Sequence, residues 1–352
     1  GEEHSGENTK SKLSRLREQI ASNNANTMLI TALDEIAWLF NIRGADIDYN
    51  PVNISFALVT PNKATLFIAE EKISDKVRNY LNKFDVNTEA YENIYQALQT
   101  LSGDTIIAID PNKCNYALKI AIPENVTIKE ISSPIANMKC IKNETELSGV
   151  GRAMVKDGVA LVKFWMWLEE KIENKETVTE LDVIENLHKF RAEQEGFITE
   201  SFNTIAGYGE HGAIVHYAAD KDSNATLKAE SFLLLDSGGQ YYDGTTDITR
   251  TVALGKVTQE MKFDYTMVLK GHLALGYQLF PYGTRGAQLD AIARQFLWNS
   301  EMQYGHGTGH GVGHCLNVHE GPQSIRMNEN PTILEKGMIL SNEPGIYRAG
   351  KH

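Results

Sequence analysis

The segment LLLDSGGQYYDGTTDITRT (233–251) decides how the second half of the chain folds. An apolar stretch ends at Asp236, and Asp247 stands in a later β-branched stretch, so the segment predicts two strands. Two adjacent glycines and an Asp-Gly pair between them are good turn formers. Neighbouring strands would bring the two carboxylates side by side, and a divalent cation between them would relieve their repulsion. A solvated turn with ordinary acidic residues is the alternative interpretation.

A second unusual segment, GHGTGHGVGH (305–314), alternates glycine with other residues. Each interior glycine costs a helix about 1 kcal/mol relative to alanine, so an extended chain is favoured. Its even face would present His306, His310 and His314, while its glycine face would let another backbone approach closely. The segment therefore predicts a wall for a metal or substrate, with a glycine-rich loop carrying incidental histidines as the alternative.

Three further residues stand at the ends of short apolar stretches: His216 in AIVHYAA, His319 in LNVHEGP and Glu343 in MILSNEPGIY. Each alone is more typical of a structural or exposed side chain. Together with the first two segments they form a carboxylate-rich set with one clear nitrogen donor. That set suits Mn²⁺, Co²⁺ or Zn²⁺. Two such ions about 3.5 Å apart can share carboxylates and hold a hydroxide that is nucleophilic at neutral pH.

Composition narrows the class of protein. The chain has 352 residues, of which 42% are hydrophobic, enough for two domains with their own cores. The net charge of −12 argues against a general binder of nucleic acid or anionic membranes. No apolar run approaches the roughly 18 residues of a membrane span. Three cysteines without CxxC spacing indicate neither a disulfide framework nor a thiolate zinc site.

The order of predicted elements divides the chain near residue 140. Strands alternate with helices in residues 1–139, which predicts an α/β domain. Residues 140–352 combine long helices with short strands, which predicts an α+β domain with a curved antiparallel sheet. The predicted strands are 27–31, 53–60, 64–69, 105–110 and 126–131 in the first domain, and 202–206, 213–217, 231–236, 247–254, 310–318 and 338–342 in the second.

The motifs VHYAA, LLLDSGGQYYDGTTDITRT, HGTGHGVGHCLNVHEGP and SNEPGIY together resemble those of the Xaa-Pro aminopeptidases, in the pita-bread metallopeptidase family M24. TALDEIAWLFNIRG (31–44) resembles the middle domain of the large three-domain type. The resemblance implies an α/β domain like the creatinase N-terminal domain, followed by a pita-bread catalytic domain.

The resemblance also implies roles for individual residues. Asp236, Asp247, His310 and Glu343 match metal ligands, with Asp247 bridging two ions and Glu343 also exchanging a proton with the hydroxide. The ions implied are two divalent cations, Mn²⁺ before Zn²⁺ or Co²⁺.

Other residues match the substrate site. His216, His306 and His319 match histidines that bind the peptide, and His216 and His319 also serve catalysis. Thr249 and Arg250 would orient Asp247. His314 matches no known role.

The match has a gap at its end. The family carries a second metal-binding glutamate and an arginine a little past Glu343, and both would fall beyond His352. The family's first domain is also unmatched. We therefore expect the chain to be a fragment of a longer enzyme. The metal site of the fragment is then incomplete, because the last ligand is missing from it.

The activity implied is release of the N-terminal residue from peptides with proline in second position. The resemblance further implies a homodimer, and the acidic N-terminus without a signal peptide predicts a cytoplasmic location. No nucleic acid or membrane partner is expected.

Three alternatives stay open. A prolidase would take only Xaa-Pro dipeptides. A non-catalytic pita-bread module would bind a partner without metal chemistry. A methionine aminopeptidase fits less well, because that family lacks a large N-terminal domain.

Overall fold

The structure is a computed structural model that describes residues 1–352. The chain forms two compact units, Gly1–Lys139 and Cys140–His352. The helices are α1 (Glu2–Ser5), α2 (Thr9–Ser22), α3 (Leu33–Phe40), α4 (Asp75–Asn82), α5 (Asn93–Gln99), α6 (Tyr116–Ala121), α7 (Pro134–Cys140), α8 (Glu144–Glu173), α9 (Glu180–Ala192), α10 (Gln259–Gly276) and α11 (Gly286–Trp298). No helix combines the length and the apolar composition that crossing a bilayer requires.

The strands are short, from two to six residues. They are β1 (Thr27–Ile30), β2 (Ser55–Val59), β3 (Ala64–Ile68), β4 (Val86–Glu89), β5 (Ile106–Ile109), β6 (Thr127–Glu130), β7 (Phe197–Glu200), β8 (Ile205–Tyr208), β9 (Phe232–Ser237), β10 (Gly239–Tyr241), β11 (Gly244–Thr245), β12 (Ile248–Ala253), β13 (Gly309–Gly311) and β14 (Glu320–Ile325). Short 3-10 helices cover Glu70–Lys72 and Gly209–Ala213.

The first unit is built on a six-stranded mixed sheet with the order β4-β3-β2-β1-β5-β6. The strands β1, β2 and β3 pair antiparallel, and the other three pairings, β1 with β5, β3 with β4 and β5 with β6, are parallel. Apolar side chains of β1, β3, β5 and the helices fill one core, which includes Leu29, Phe67, Ile107 and Leu118. The predicted α/β architecture is confirmed. The strand β4 escaped prediction because, of its four residues, only Val86 is buried.

The second unit contains three small antiparallel sheets, β11-β10-β7, β12-β9-β8 and β13-β14. The helices α8 and α9 cover the second sheet: Phe164, Leu187 and Leu235 lie in one core and are each at most 1% exposed. This core fixes β9, the strand that ends in the first candidate aspartate. The α+β prediction with antiparallel sheet is confirmed.

Capping residues set where the two helices behind that sheet begin. The side chain of Asn143 accepts from the Glu146 amide, and the Glu146 side chain returns the bond to the backbone of Asn143, forming a capping box at α8. A capping box of Thr179 and Asp182 opens α9 in the same way.

Four predicted strands of the second unit are wrong, shorter or displaced. Residues 213–217 form no strand: Ala213 ends a 3-10 helix, a turn follows at 215–216, and the side chains of Ile214 and Val215 are 52% and 46% exposed. The strand predicted at 310–318 ends at Gly311, because the chain turns back where the Gly313 amide donates to the Asn317 carbonyl.

Residues 338–342 form isolated bridges in place of a continuous strand, at Met338 and Leu340. The strand predicted at 202–206 begins later, at Ile205, and runs to Tyr208.

Candidate metal centre

The aspartate ribbon, which we define as residues 232–253, carries the two candidate aspartates on antiparallel strands. The register pairs Asp236 with Thr249 and Ser237 with Ile248, so Asp247 lies immediately before the paired part of β12. A Cβ on Gly238 would lie 2.0 Å from the Thr246 carbonyl oxygen. Only glycine therefore permits this close return of the chain, which brings both aspartates to one end of the ribbon.

The third acidic residue of the ribbon has a different role. The Asp243 carboxylate accepts from Arg152 Nη2 at 2.9 Å and from Lys156 Nζ at 2.5 Å. Although burial opposes the shift, these two cations lower the pKa of Asp243. Side chains of α8 thus neutralise Asp243, which leaves Asp236 and Asp247 as the acidic pair of interest.

His310 joins the ribbon to a more distant segment. Its Nε2 lies 3.2 Å from Asp247 Oδ2 and 3.1 Å from Glu343 Oε1. Its Nδ1 lies 2.8 Å from the Gly311 carbonyl oxygen, which can only accept, so Nδ1 carries the hydrogen and Nε2 points at the carboxylates. Hydrogen bonds to the two carboxylates outweigh burial and raise the pKa of His310 to about 10. The protonated imidazole of His310 thus provides positive charge between the carboxylates, the role that a bound cation would otherwise fill.

Glu343 is held by the backbone on both sides of His310. The Ser341 amide donates to the His310 carbonyl at 2.9 Å, and the Glu343 amide donates to the Thr308 carbonyl at 2.8 Å. A Cβ on Gly309 would lie 2.1 Å from the Ser341 carbonyl oxygen, so the glycine face of this segment allows the close backbone approach that its sequence predicted. Ser341 Oγ also donates to Glu343 Oε1 at 2.5 Å and fixes the carboxylate.

Asp236 completes the acidic set. Burial first, and then the charges of Asp247 and Glu343, raise the pKa of Asp236 to about 7, although a hydrogen bond from Thr249 Oγ1 at 2.7 Å acts in the opposite direction. Two carboxylates therefore contact His310, and the third, Asp236, lies close enough for its pKa to respond to their charges. One ligand atom each of Asp247, His310 and Glu343 lie within 4.8 Å of one another, a spacing that could hold a metal ion. Oxygen and imidazole donors without thiolates fit a hard or borderline divalent cation.

The two neighbouring histidines differ in their surroundings: His319 packs against His310, whereas His216 is exposed. The ring of His319 stands perpendicular to that of His310, with 4.4 Å between centroids. Loss of hydration and the positive charge of His310 lower the pKa of His319, and the charge of His216 contributes in the same direction. His216 is exposed and has a φ of 59°, so it projects from a turn and does not end a strand.

The predicted even face of 305–314 is only partly present, because the strand covers just Gly309–Gly311. His306 lies before the strand, where its Nε2 contacts the hydroxyl of Tyr347 at 2.8 Å. His314 lies after the turn, is 4% exposed, and has its Nε2 close to Gly149 of α8. His314 therefore does not share the face of His310.

Two further expectations need correction. Thr249 was expected to orient Asp247, but the register places it opposite Asp236, to which its hydroxyl donates. Arg250 is exposed, and its guanidinium donates to the Thr249 carbonyl at 2.7 Å. Strand register is set by pairing partners, which the spacing of two aspartates alone does not define.

Sequence reasoning also missed two residues of the site. Ser341 could have been found, because an extended chain places residues two apart on the same side. Tyr347 gave no such signal, since the chain turns at a Pro-Gly pair before it. Burial, followed by the charges of Glu343 and Asp236, raises the pKa of Tyr347 to about 12, so its phenol keeps its proton beside His306.

Comparisons with known families divide the chain in the same two parts. Residues 1–146 match the family described as "Creatinase/Prolidase N-terminal domain", and residues 149–352 match "Metallopeptidase family M24". The chain is 42% identical over 364 residues to a probable Xaa-Pro aminopeptidase P of Sordaria macrospora, covering all of this chain and 59% of that protein. A relative of the same description from Neurospora crassa is also 42% identical, with 53% of its length covered.

Solved structures agree with these relatives. The fold matches a crystal structure of X-prolyl aminopeptidase from Caenorhabditis elegans, described as a cytosolic enzyme with a di-nuclear active site, with a TM-score of 0.94 and 36% identity. That match covers all of this chain and 58% of the other. An Xaa-Pro dipeptidase from Bacillus anthracis shares the fold with a TM-score of 0.80 and 23% identity, covering 98% of this chain and 92% of that one. The chain thus spans a little over half the length of the aminopeptidase relatives.

Proposed function

Because this chain belongs to metallopeptidase family M24, we propose that it forms the metal-binding part of an Xaa-Pro aminopeptidase. The reaction is hydrolysis of the bond before proline, which releases the N-terminal residue of a peptide with proline in second position. The observation that carries the proposal is the convergence of Asp247, His310 and Glu343 near a third acidic residue, Asp236, whose pKa is raised to about 7. The aminopeptidase relatives of this chain supply the substrate class.

Four residues would hold two divalent ions: Asp236, Asp247, His310 and Glu343. Mn²⁺ suits this donor set, and Zn²⁺ and Co²⁺ are the next candidates. When bound, such ions polarise the scissile carbonyl and lower the pKa of water. The protein prepares its ligands: Nδ1 of His310 donates to the Gly311 carbonyl and so directs Nε2 into the site.

The remaining residues act on protons and on the peptide. Glu343, fixed by the Ser341 hydroxyl, takes up and returns a proton at its carboxylate oxygen. The lowered pKa of His319 leaves a neutral imidazole at neutral pH, which can hydrogen-bond the peptide carbonyl or the departing imide nitrogen. His216 and His306 would line the peptide site, and Tyr347 orients His306 through a 2.8 Å contact.

The two units would be two different domains. We assign residues 1–139 to a creatinase-N-like domain and residues 140–352 to the pita-bread catalytic domain. A cytoplasmic location and a homodimer are further parts of the proposal, the location by analogy with the cytosolic relative from Caenorhabditis elegans.

The test measures metal binding and then specificity. Protein stripped with EDTA is titrated with Mn²⁺ by calorimetry, and the loaded protein is assayed on Xaa-Pro-Yaa, Xaa-Ala-Yaa and Xaa-Pro peptides. We expect Mn²⁺ binding that the four candidate ligands provide, and release of the first residue from Xaa-Pro-Yaa alone or preferentially. Equal cleavage of Xaa-Ala-Yaa would contradict the proline specificity, and turnover restricted to the dipeptide would indicate a prolidase. Absence of Mn²⁺ binding would refute the metallopeptidase proposal for this chain.

A further inference from the structure

A fully buried ion pair lies behind the aspartate ribbon. Asp157 of α8 and Arg191 of α9 are both 0% exposed. Arg191 Nε donates to Asp157 Oδ1 at 2.7 Å, and Arg191 Nη2 donates to Asp157 Oδ2 at 3.1 Å. Removing two charges from water is costly, so a pair at this depth calls for an account beyond fold stability.

The pair reaches the ribbon through two hydroxyl groups. Arg191 Nη2 contacts Ser237 Oγ at 3.0 Å, and Thr246 Oγ1 donates to Asp157 Oδ2 at 3.0 Å. Ser237 directly follows Asp236 in the sequence. Thr246 directly precedes Asp247. One ion pair therefore contacts the immediate neighbour of each candidate aspartate.

Further hydrogen bonds make the arrangement stiff. The Gly239 amide donates to Thr246 Oγ1 at 2.8 Å, and Ser201 Oγ donates to the Thr246 carbonyl at 2.8 Å. The Tyr241 hydroxyl donates to Asp157 Oδ1 at 2.9 Å. Each of these hydrogen bonds involves at least one residue that lies between Asp236 and Asp247 in the sequence.

We propose that the Asp157–Arg191 pair is a positioning unit for the metal centre, which sets the separation of Asp236 and Asp247 through Ser237 and Thr246. The inference rests on the proposed metal site and adds residues that touch neither metal nor substrate. Hydrogen-bond partners of metal ligands commonly change metal affinity by about 10- to 100-fold, and this pair acts one residue further from the ligands, so we expect the lower end of that range. The alternative is a purely structural ion pair, whose loss would lower stability and leave the affinity of the folded protein unchanged.

Four variants separate the two interpretations. Thr246→Val keeps the shape of the side chain and removes the hydroxyl that links Asp157 to the ribbon, while Thr246→Ser keeps that hydroxyl. Asp157→Asn removes the charge of the pair. Leu187→Ala serves as the control, because this core residue of α9 is 0% exposed and its truncation lowers stability by removing apolar packing, while the side chains that form the hydrogen bonds of the pair stay in place.

The readouts are the Mn²⁺ dissociation constant from calorimetry and the visible absorption spectrum of the Co²⁺-loaded protein, each at a temperature where circular dichroism shows the variant folded. We expect Thr246→Val and Asp157→Asn to bind Mn²⁺ at least about tenfold more weakly, with an altered Co²⁺ spectrum. Thr246→Ser and Leu187→Ala should keep the wild-type affinity and spectrum.

A folded Thr246→Val variant with wild-type affinity and spectrum would overturn the positioning role, and it decides the matter if Asp157→Asn does not fold. Weakened binding in Leu187→Ala equal to that in Thr246→Val would also overturn it, because general destabilisation would then suffice. If wild-type protein binds no Mn²⁺, the metal site itself fails. Wild-type binding with unaffected variants refutes the positioning unit alone.

Discussion

A group of neighbouring carboxylates in the first unit and another in the second differ in the cation that neutralises them. In the first unit, Asp34 Oδ2 lies 2.9 Å from Lys139 Nζ, and Glu35 pairs with Lys113 while accepting from Ser133 Oγ at 2.7 Å. In the second unit, Asp247 and Glu343 contact a single imidazole, that of His310, and Asp236 lies close enough for its pKa to respond to the charges of all three. Lysine is a permanent cation at neutral pH, whereas histidine is a ligand once its proton leaves.

The pKa values of Asp34 and Asp236 follow the same division, although burial raises the pKa of Glu35 despite its pairing with Lys113. Burial alone would raise the pKa of Asp34, but Lys139 lowers it below the ordinary value. Asp236 has no comparable relief, and its pKa is raised to about 7. A carboxylate cluster that carries its own lysines is complete as an ion-pair network, whereas one gathered around a histidine gains most from an added cation. The comparison teaches that the cation partner, and not acidity alone, distinguishes a metal site from a structural cluster.

The largest effect should come from removing a ligand in the second unit. Asp247→Asn keeps the size of the side chain and removes its charge, so we expect Mn²⁺ affinity to fall at least about 1,000-fold, or about 4 kcal/mol. Lys139→Met, in the first unit, should leave Mn²⁺ affinity unchanged. Calorimetric titration of both variants checks the pair of results, and retained Mn²⁺ binding in Asp247→Asn would show that the cation binds elsewhere.

The next effect concerns stability of the first unit. Lys139→Met leaves the buried carboxylate of Asp34 without its cation, and we expect a loss of about 3 kcal/mol in the free energy of unfolding. The double variant Asp34→Asn/Lys139→Met removes both charges and should recover part of that loss. Urea unfolding followed by circular dichroism measures both, and an unchanged midpoint in the single variant would mean that the pair contributes nothing.

In the second unit, removing a charge should raise the free energy of unfolding, not lower it. Asp236→Asn removes a repelled charge and should stabilise the metal-free protein by about 2 kcal/mol at pH 7.5, since lost attraction to protonated His310 offsets part of the gain. The folded pKa of Asp236 lies above its unfolded value of about 4. The stability that protonated Asp236 contributes is therefore complete below about pH 4, and it is lost as the pH rises through 7 and the carboxyl ionises.

The advantage of Asp236→Asn over wild type should accordingly vanish near pH 4 and grow towards pH 7. Unfolding curves of both proteins in EDTA, measured from pH 4 to pH 8, test this dependence. Adding Mn²⁺ should reverse the order by stabilising the wild type. A constant difference across the pH range would exclude repulsion at Asp236 as its cause.

The smallest effect separates two adjacent residues of β12. Thr249→Val removes the 2.7 Å hydrogen bond to Asp236, and we expect Mn²⁺ binding to weaken about fivefold, or about 1 kcal/mol. Arg250→Ala should have no effect, because its side chain is exposed and contacts a backbone carbonyl. The reverse ranking in a Mn²⁺ titration would support the original sequence-based role of Arg250.

Sequence alone predicted the fold class and the segments of the candidate site, because the strongest signals were local. Glycine alternation around His310 reflects a backbone contact with Ser341 that any side chain would block. What sequence could not supply depends on pairing and on distant contacts. The register that places Thr249 beside Asp236, the turn after Gly311 and the approach of Tyr347 to His306 are of this kind.

The ligands of the candidate centre come from distant parts of the sequence: Asp236 and Glu343 are separated by about one hundred positions. Contacts of such long range form late in folding, because the loop between them must close first. A cation bound by these residues would then act mainly on the native state. Such a cation would slow unfolding and leave the refolding rate nearly unchanged, so the metal would set the lifetime of the folded chain more than the speed at which it forms.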